Sequence, residues 1–578
     1  MLFYDFEVYK EDWLVVIIDM SAKSEHVIIN DAGQLLQFYQ SHVNDIWVGF
    51  NNNHYDQWIF KGILCGFNPK EINDFIIQSD TPGWRFSSLL NKFQMINYDV
   101  MKGIDRGLKM FEGFMGNDIK ESSVPFNINR KLTESELTET VKYCRHDVEQ
   151  TIQVFIQRKS DFEAHMGLVK LACQGKGLDL SLLSRTEPQL SAIILEAVRQ
   201  DHDDEFDIDF PSSMKIEKYT SVVEWYADPA NRCYYTMNNR EGYDKNQLEI
   251  MVAGVPHQFG WGGLHGAIDK YSGEGYYLNM DVASLYPSLM ILYDLHSRNM
   301  KHPDKYEQIY KQRLQYKAEK NPLQAPLKLV LNSTYGVMKD KTNPLFDPRQ
   351  ANRVCVYGQL LLLDLIEKLE PHCQIIQSNT DGVLIKMNDY NDYELIDDIA
   401  WEWEQRTGLQ LEFDEFCKVF QKDVNNYIMV DAAGHYKSKG AYLKELSSLD
   451  YDLPIVNQAL VDYMVKGVPV ADTIFNCDDL KEFQLVSKIT NKYSCILHGS
   501  NQLKERCIRM FASVDKRDAG VKKVHSVTQR PAKLPNSPEH CFIYNDDVNG
   551  AKCPEKLDKH WYLSMANKRL IDFGVSLI

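Results

Sequence analysis

Short apolar runs separated by polar turns predict an α/β arrangement for the first 165 residues. LFYDFEVY and WLVVIIDM are typical of paired strands, and DIWVGFN is typical of a third strand. Thr133 can cap a helix whose capping box is completed by Glu136, and this helix should include Tyr143 and Asp147. We therefore expect strands and helices to alternate in this region.

The pattern over the rest of the chain predicts further mixed α/β domains. EPQLSAIILEAVRQ has helical periodicity, DHDDEFDIDFPSS is typical of an acidic loop, and Gly175 and Gly177 indicate a boundary. Two helices should lie within residues 301–350, joined by the Pro-containing turn at 321–326, and CQIIQSNTDGVLIKM predicts a hairpin. From Tyr442 onward we expect mostly helices, then a basic stretch and an apolar tail. A chain of 578 residues is long enough for several domains with separate cores.

Composition and charge narrow the functional classes. The formal net charge is −17, with 25% charged and 44% hydrophobic residues, which is ordinary for a soluble globular protein. No apolar run reaches the roughly 18–20 residues that cross a bilayer, and the N-terminal residues do not resemble a secretory signal. The twelve cysteines form no CxxC pair, which argues against a zinc ribbon or an iron–sulfur cluster. We therefore expect a cytoplasmic protein with reduced thiols and no membrane association.

Basic residues are concentrated in two segments. Residues 301–341 hold nine Lys/Arg against four Asp/Glu, and residues 504–533 hold nine against three, whereas residues 387–431 hold three against twelve. Basic zones can neutralise phosphates even in an acidic chain, because binding depends on where the cations lie. The alternative is that each segment is only a solvated face, and it is weaker for residues 301–341 because they adjoin the motifs described next.

Two aspartates in separate β-rich segments carry the pattern of a phosphoryl-transfer site. Asp281 ends the apolar strand in LNMDVASLYPSLMI (278–291), and Asp381 lies in the turn of QSNTDGVLI (377–385). Phosphoryl transfer to a nucleotide uses two divalent metals about 3.5–4 Å apart, held by carboxylates from separate strands. Mg²⁺ fits because it prefers hard oxygen ligands together with substrate phosphates, and Mn²⁺ can substitute. Considered alone, either residue would be an ordinary turn aspartate.

The segment between these aspartates adds polar and basic side chains on helices. Lys328, Asn332 and Tyr335 in KLVLNSTYG share one helical face, at i, i+4 and i+7. Arg313 and Lys317 lie four apart on the preceding helix, so an antiparallel pair of helices would aim all five side chains into one groove. Such a groove can hold a triphosphate, with arginine providing bidentate contacts. For Arg313 and Lys317, solvated helix positions are the alternative.

Four acids and a tyrosine near the N-terminus form a second metal-binding pattern. Asp5 and Glu7, at i and i+2 on a strand, face the same side, and Asp56 closes NNNHYD. Tyr143 and Asp147, at i and i+4, share a face of the capped helix. A two-metal 3′–5′ exonuclease uses four acids for the metals and a phenol to orient the attacking water. The alternative, surface acids on an α/β domain, leaves unexplained why both pairs have the spacing that their elements demand.

The three later segments resemble motifs A, B and C of B-family DNA polymerases, in that family's order, and the N-terminal acids resemble the family's three exonuclease motifs. The resemblance covers about residues 1–150 and 255–445. It implies an α/β and α+β multidomain fold, in which a ribonuclease-H-like exonuclease domain precedes a right-hand polymerase domain. The boundaries we expect are 1–165 for the exonuclease domain, 166–255 for a connector and the start of the palm, 256–300 for palm, 301–350 for fingers, 351–445 for palm and 446–578 for thumb.

The resemblance also implies roles for individual residues. Lys328 and Arg313 would contact the incoming nucleotide, and Tyr335 would lie near the nascent base pair. The expected nucleotide-binding set is Arg313, Lys317, Lys328, Asn332, Tyr335, Tyr286, Ser284 and Leu285. Two ions are expected in each of two sites. The ligands of the first site would be Asp281, Asp381 and the backbone carbonyl of Val282, and those of the second site would be Asp5, Glu7, Asp56 and Asp147.

Tyr286 in SLYPS matches the family's tyrosine that packs under the sugar and excludes a 2′-hydroxyl. The resemblance therefore implies deoxynucleoside triphosphates as substrates and primer–template DNA as the partner. A core tyrosine is the alternative reading of this position.

Three looser matches concern DNA contacts. Gly262 and Gly263 in FGWGGLHG resemble the family's glycine pair between the exonuclease and polymerase parts, although Gly260 lies where a tyrosine is usual. Lys439 and Tyr442 in YKSKGAY resemble the motif that contacts the primer strand. Asn51 or Asn52 is a candidate for holding the frayed primer end. Simple loop residues are the alternative for the glycine and lysine–tyrosine motifs.

One position departs from the family pattern. The third motif usually reads DTDS, and here it reads Asn379-Thr380-Asp381-Gly382, so a catalytic-site acid has become an amide. We therefore expect template-directed, primer-dependent DNA synthesis with 3′–5′ proofreading, or, as the alternative, an exonuclease with a weakened or inactive polymerase half. A non-catalytic DNA-binding scaffold is a third reading, which the intact acids in both patterns disfavour.

Motif spacing indicates a compact enzyme. Asp281 and Lys328 are only 47 residues apart, and Gly336 and Asp381 only 45, which leaves little room for the insertions of protein-primed phage polymerases. We therefore expect ordinary primer-dependent synthesis without intrinsic strand displacement or high processivity. The compact build favours a phage or other mobile-element replicase acting in the host cytoplasm. Any processivity or replisome partner is not identifiable from the sequence.

Overall fold

A five-stranded mixed sheet organises the N-terminal region of the computed structural model, which describes residues 1–104, 106–232 and 246–576. Its strand order is β3-β2-β1-β4-β5, with β1 antiparallel to β2 and parallel to β4. The predicted pairing of the first two strands is thereby confirmed, and the strand predicted at DIWVGFN is confirmed as β4. The strands are β1 (Leu2–Val8), β2 (Trp13–Asp19), β3 (Ser24–Ile29), β4 (Ile46–Gly49) and β5 (Ile96–Asp99).

Six helices accompany this sheet, and the longest begins where the capping box was predicted. Thr133 accepts a hydrogen bond from the N–H of Glu136, and Glu136 accepts one from the N–H of Thr133. The sixth helix crosses the boundary expected at residue 165, and the chain leaves helical structure only near Gly175. The helices are α1 (Ala32–Ser41), α2 (Asp56–Leu64), α3 (Pro69–Ile77), α4 (Leu108–Met115), α5 (Glu134–Gln157) and α6 (Lys159–Ala172).

The connecting region contains α7 (Glu187–Ile194), α8 (Thr220–Ala227) and the predicted acidic loop. The first of these helices is shorter than the periodicity predicted. Acids of the loop form ion pairs with arginines: Asp204 with Arg298 at 2.6 Å, and Asp209 with Arg353 at 2.7 Å. These ion pairs therefore hold the acidic loop against Arg353 of the helix at Pro348–Leu369 and against Arg298.

A nine-stranded sheet forms the centre of the molecule, in the order β14-β13-β12-β9-β11-β10-β8-β7-β6. The central strand β9 places Asp281 opposite Gly382 of one neighbour and opposite Glu412 of the other. The predicted hairpin is confirmed as β10 and β11. The strands are β6 (Leu248–Val252), β7 (Val255–Phe259), β8 (His265–Ala267), β9 (Tyr271–Val282), β10 (Gln374–Ser378), β11 (Gly382–Met387), β12 (Leu411–Asp423), β13 (Asn426–Val430) and β14 (Tyr436–Lys439).

Five helices pack around this sheet, and two of them form the predicted helical pair. Tyr306, near the start of α10, donates a hydrogen bond to the carbonyl of Leu331 in α11, so the two helices run antiparallel. Most of α12 is buried, and Gly358 lies against Leu285 and Leu289. The helices are α9 (Leu285–Leu292), α10 (Pro303–Ala318), α11 (Gln324–Val337), α12 (Pro348–Leu369) and α13 (Tyr393–Thr407).

The region after Tyr442 is not mostly helical, which corrects the sequence prediction. Helices α14 (Pro454–Lys466), α15 (Val470–Asn476) and α16 (Lys559–Asp572) enclose two small antiparallel sheets, ordered β15-β18-β21 and β17-β16-β19-β20. The strands are too short to give an alternating pattern distinct from loops. They are β15 (Leu485–Lys488), β16 (Tyr493–His498), β17 (Asn501–Gln502), β18 (Cys507–Ala512), β19 (Val521–His525), β20 (Pro531–Lys533) and β21 (Cys541–Ile543).

Within the described ranges, none of these helices has both the length and the apolar character that a bilayer crossing requires.

Candidate active sites

Four carboxylates from three elements meet in one cleft of the N-terminal region, which we call the four-carboxylate cleft. Asp5 and Glu7 come from β1, Asp56 begins α2, and Asp147 comes from α5. Together with Tyr143 they line a cleft of about 760 Å³. Asp56 accepts a hydrogen bond from the N–H of residue 6 at 3.2 Å, which ties the start of α2 to β1. The structure thus brings together all five residues of the predicted set.

Burial keeps these acids difficult to ionise. Burial, reinforced by the charges of Asp56, Glu7 and Asp147, raises the pKa of Asp5 well above its usual range. Burial followed by the charge of Asp147 does the same to the pKa of Glu7, and burial raises the pKa of Asp56 to about 7. Burial also raises the pKa of the Tyr143 phenol, so this group stays protonated. A cluster of this kind favours a bound cation, which relieves the repulsion between the carboxylates.

A buried lysine that the sequence analysis missed supplies part of that positive charge. Lys109 of α4 lies 2.5 Å from Asp147 and 3.0 Å from Glu112, and its ammonium lies 4.7 Å from the centre of the Tyr143 ring. Burial alone would lower the pKa of Lys109, but the charges of Asp147 and Glu112 outweigh burial and raise it. The sequence feature that could have identified this lysine is a Lys–Glu pair at i and i+3 within the otherwise apolar segment LKMFEGFM.

Asn51 and Asn52 occupy different environments. Asn51 lines the cleft, in the left-handed conformation with φ of 61°. Asn52 is fully buried, and its amide donates to the side-chain oxygen of Asn97 at 2.9 Å. Asn52 is therefore corrected from a candidate DNA contact to a structural residue, because its side chain does not reach the cleft.

Asp281 lies near the end of β9, and Asp381 lies in the adjoining turn between β10 and β11; we call this pair the two-aspartate site. Asp281 is opposite Gly382 in the pairing of β9 with β11, and the N–H of Val282 donates to the carbonyl of Asp381 at 2.6 Å. A Cβ atom at Gly382 would lie 2.2 Å from Asp281 Oδ1. Glycine at this position therefore leaves the space that the Asp281 carboxylate occupies.

Further charges surround Asp281 that the sequence analysis did not single out. Lys437 of β14 lies 3.4 Å from Asp281 and 2.5 Å from Asp414, which is two residues along β12 from Glu412. Burial raises the pKa of Asp281, the nearby Lys437 opposes that rise, and Asp381 adds to it. The lysine is 156 positions from Asp281 in sequence, so no local pattern could have paired them.

Asn379 stabilises the turn that contains Asp381 through two hydrogen bonds. Its side-chain oxygen accepts the N–H of Asp381 at 3.1 Å, and its own N–H donates to the carbonyl of Gly382 at 2.9 Å. The amide oxygen thus performs the turn-stabilising role that a carboxylate could also perform.

A pocket of about 350 Å³ adjoins the two-aspartate site. The rings of Tyr286 and Tyr335 contact each other in its wall, with centroids 4.2 Å apart. The described residues that line it are Ser284, Leu285, Tyr286, Pro287, Leu331, Asn332, Tyr335, Thr380 and Asp381. Five of the eight predicted nucleotide-binding residues therefore line one pocket beside Asp381.

The three predicted basic residues lie around the pocket without lining it. Arg313 donates a hydrogen bond to the hydroxyl of Ser284 at 3.0 Å, which connects α10 to the turn after β9. Lys317 lies 3.4 Å from Glu412 with both side chains more than half exposed, and Lys328 is exposed on α11. Screening makes the Lys317 pair a weak tether.

The looser sequence matches lie in different surroundings. A Cβ atom at Gly263 would approach the hydroxyl of Thr380 to 2.4 Å, so Gly263 packs against the turn of Asp381, whereas a Cβ atom at Gly262 would meet nothing within 4 Å. Lys439 is exposed at the end of β14. Tyr442 is held in place by Arg569, whose guanidinium lies 3.9 Å from its ring centre.

Both acid sets fit a hard divalent cation. Their donors are carboxylate oxygens, and Mg²⁺ is bound through one or two carboxylates together with substrate phosphates. The possible ligand atoms of Asp5, Glu7 and Cys144 lie within 4.8 Å of one another, as do those of Glu112, His146 and Asp147, of which only Asp147 lines the four-carboxylate cleft.

Comparison with known proteins gives partial similarity to archaeal DNA polymerases. No family model matches the chain. A segment of 225 residues is 24% identical to DNA polymerase 1 of Saccharolobus solfataricus, and it covers 38% of this chain and 23% of that protein. The family B DNA polymerase of the hyperthermophilic archaeon Pyrobaculum calidifontis aligns over 100% of this chain and 78% of its own, with 13% identity and a TM-score of 0.41. The chain thus covers less than a quarter of the curated relative's length.

Proposed function

We propose that the protein is a template-directed, primer-dependent DNA polymerase of the B family with a 3′–5′ proofreading exonuclease. The observation that carries the proposal is the juxtaposition of Asp281, on β9, with Asp381, in the turn before the paired strand β11, beside a pocket lined by Tyr286 and Tyr335. The four-carboxylate cleft supports the second activity, and the partial similarity to an archaeal DNA polymerase agrees with the first.

In the polymerase reaction Asp281, Asp381 and the carbonyl of Val282 would hold two Mg²⁺ ions. When bound, the ions lower the pKa of the primer 3′-hydroxyl and neutralise the triphosphate. Arg313 and Lys328 would bind the phosphates of the incoming nucleotide, because α11 lines the pocket and Arg313 of α10 contacts Ser284 in its wall. Lys317 and Asn332 would complete the contacts to this substrate.

Tyr286 would select deoxynucleotides. Its ring packs against Tyr335 and forms one wall of the pocket, next to Ser284 and Leu285. A sugar lying against this ring has no room for an additional 2′-hydroxyl, so ribonucleotides would be excluded. Gly262, Gly263, Lys439 and Tyr442 would contact the primer–template duplex.

In the exonuclease reaction Asp5, Glu7, Asp56 and Asp147 would hold the ions, and Tyr143 would orient the attacking water. The protonated phenol can donate a hydrogen bond to that water or to the scissile phosphate. Asn51, which lines the cleft, would hold the frayed primer end.

In this proposal the N-terminal mixed sheet belongs to a ribonuclease-H-like exonuclease domain, the nine-stranded sheet to the palm, α10 and α11 to the fingers, and residues 446–578 to the thumb. The short spacing between motifs supports a compact phage or mobile-element enzyme that does not displace strands by itself.

A primer assay separates the two activities. A 5′-labelled primer on a longer template is incubated with Mg²⁺, with and without deoxynucleoside triphosphates, using wild type, Asp5→Ala and Asp281→Ala. We expect Asp281→Ala to lose extension and keep shortening, and Asp5→Ala to lose shortening and keep extension. Shortening without any extension by wild type would contradict the polymerase assignment.

Asn379 is the observation that favours the second candidate, an exonuclease with a weakened polymerase half. Because the oxygen of Asn379 already holds the N–H of Asp381, Asn379→Asp should preserve the turn while adding a charge. We expect extension to change by less than about threefold, or under ~1 kcal/mol of activation free energy. A gain of a hundredfold would favour the second candidate.

A further inference from the structure

A lysine beside the two-aspartate site has no role in the function proposed above. Lys437 lies on β14, which β13 and β12 separate from β9, yet its ammonium reaches Asp281 Oδ2 at 3.4 Å. The same ammonium donates to Asp414 Oδ2 at 2.5 Å. The two carboxylates share one face of the sheet, because Asp414 is paired with Asn279, two residues before Asp281. Lys437 therefore bridges carboxylates from neighbouring strands.

The two oxygens of the Asp281 carboxylate have different neighbours. Oδ1 lies on the side of β11, where a Cβ atom at Gly382 would come within 2.2 Å of it. Oδ2 lies on the side of Lys437 and accepts its hydrogen bond. A cation on Oδ2 would therefore have to take the place of the ammonium, and a cation on Oδ1 would be repelled by it across the width of one carboxylate.

The charge balance of the two-aspartate site gives this lysine weight. Asp281 and Asp381 carry one negative charge each, Asn379 carries none, and Lys437 returns one positive charge. The sum is a single negative charge, which is little to hold two divalent cations. In the four-carboxylate cleft, by contrast, Lys109 is a single cation beside four acids. A nucleoside triphosphate brings negative charge of its own and can make up the difference at the two-aspartate site.

We propose that Lys437 sets the metal affinity of the two-aspartate site. Its ammonium holds Oδ2 of Asp281 against a free divalent cation, so the ions bind firmly only when a nucleoside triphosphate supplies further negative charge. Once they are bound, the lysine stays attached to Asp414. This inference rests on the proposed polymerase activity. Lys437 is a positioning residue, because it acts on the ions through Asp281.

The exposure of these side chains makes the effect of Lys437 measurable apart from folding. The side chains of Lys437, Asp281 and Asp414 are between 32% and 48% exposed. Ion pairs that are exposed to this extent contribute little to stability. We therefore expect Lys437 variants to fold and to unfold at the same temperature as wild type, so a change in metal binding reports on the site itself.

The test measures binding of Mn²⁺ to the full chain without DNA or nucleotide, by the electron paramagnetic resonance signal of the free ion. Asp5→Ala is the background, because it removes a candidate ligand from the four-carboxylate cleft. We expect Lys437→Gln on this background to bind Mn²⁺ about ten- to a hundredfold more tightly. Adding Asp281→Ala should abolish the gain. Lys437→Arg keeps the positive charge and should bind like the background.

Lys418→Gln is the matched control. It removes one positive charge from β12 of the same sheet, where Lys418 pairs with Glu274 at 3.2 Å rather than with an acid of the site. We expect it to change Mn²⁺ affinity by less than about twofold, because solvent and salt screen the more distant charge. A gain in Lys418→Gln as large as that in Lys437→Gln would overturn the inference, since the effect would then be one of net charge.

Primer extension is measured in parallel as a function of Mg²⁺ concentration. Lys437→Gln should reach half of its maximal rate at a lower Mg²⁺ concentration than wild type. If wild type extends primers but Lys437→Gln binds Mn²⁺ like its background, the role of Lys437 is overturned while the polymerase stands. If wild type extends no primer and Asp281→Ala leaves Mn²⁺ binding unchanged in every background, the polymerase assignment and this inference both fall.

Discussion

At the scale of single residues, the two-aspartate site depends on a missing side chain. Gly382 is opposite Asp281 in the sheet, and a Cβ there would lie 2.2 Å from the carboxylate. Glycine at position 382 is therefore matched to the position of Asp281 in this chain.

Gly382→Ser should displace Asp281 and lower the rate of primer extension by roughly ten- to a hundredfold, because a misplacement of about 1 Å costs on that order. Primer shortening should not change. Gly177→Ser is the control, since a Cβ at Gly177 meets open space. Extension at the wild-type rate by Gly382→Ser would show that the carboxylate is not held where we describe it.

The acids of the four-carboxylate cleft make the stability of the protein depend on pH. The pKa values of Asp5, Glu7 and Asp147 are raised by burial, and that of Asp56 is raised to about 7. A raised folded-state pKa means that the folded protein binds protons more tightly than the unfolded chain. Its contribution to stability is therefore lost as pH rises from about 4 through about 7.

Under the proposed function, Mg²⁺ would bind the ionised carboxylates and offset this loss. We expect Mg²⁺ to raise the thermal unfolding temperature by a few degrees at pH 8 and by much less at pH 5.5. The measurement is thermal unfolding with and without Mg²⁺ at both pH values. Asp5→Asn should reduce the effect at pH 8, and an equal shift at both pH values would contradict the assignment of these acids to a metal.

At the scale of elements, helix α5 begins with a capping box and carries two residues of the four-carboxylate cleft. Thr133 and Glu136 form the capping box, and the same helix carries Tyr143 and Asp147 further along. Thr133→Ala should lower the free energy of unfolding by about 1 kcal/mol, because an N-terminal N–H loses its acceptor. Urea denaturation measures the change.

Thr138→Ala in the same helix is the matched control, since the Thr138 hydroxyl only donates to the carbonyl of Glu134. We expect it to change stability by less than about 0.5 kcal/mol. If the two variants lose the same stability, the capping box is not what secures the start of α5.

The elements also show which parts of the fold could be predicted from sequence. The pairing of β1 with β2, the capping box of α5 and the hairpin of β10 and β11 follow from local patterns, and all were predicted correctly. The short strands after Tyr442 were missed because strands of two to six residues give almost no periodic signal. The two long helices α14 and α16 dominated the pattern of that region.

The candidate sites were predictable to the extent that their signals were local. Acids spaced for one strand or one helix were found, but Lys109 and Lys437 were not. These lysines reach Asp147 and Asp281 from 38 and 156 positions away, so only the tertiary fold brings them together. Asn52 was chosen for its sequence position, which says nothing about burial.

At the scale of the whole molecule, a fully buried arginine joins the N-terminal and C-terminal regions. Arg509 of β18 donates to the carbonyls of Gly113 and Asn117 at 3.0 and 2.7 Å, and to that of Asp546 at 2.7 Å. Burial lowers its pKa to about 10, so it remains charged at neutral pH. The contact holds α4, which carries Lys109, against the β15-β18-β21 sheet.

Arg509→Met should destabilise the protein by about 2 kcal/mol or more, because it leaves several buried carbonyls without donors. Arg509→Lys should not restore stability, since an ammonium cannot reproduce the fork of the guanidinium. Thermal unfolding measures both. Arg517→Met, whose side chain is 90% exposed and pairs only with Asp515, is the control, and a loss as large as that of Arg509→Met would contradict this account.

The most direct test of the central claim is whether the template chooses the nucleotide. Asp5→Ala, which removes primer shortening from the readout, is given a labelled primer on four templates that differ in the next base, with one deoxynucleoside triphosphate at a time and Mg²⁺. We predict that only the complementary nucleotide is added on each template, and that Asp5→Ala/Asp281→Ala adds none. Addition independent of the template, or no addition by Asp5→Ala, would contradict the account.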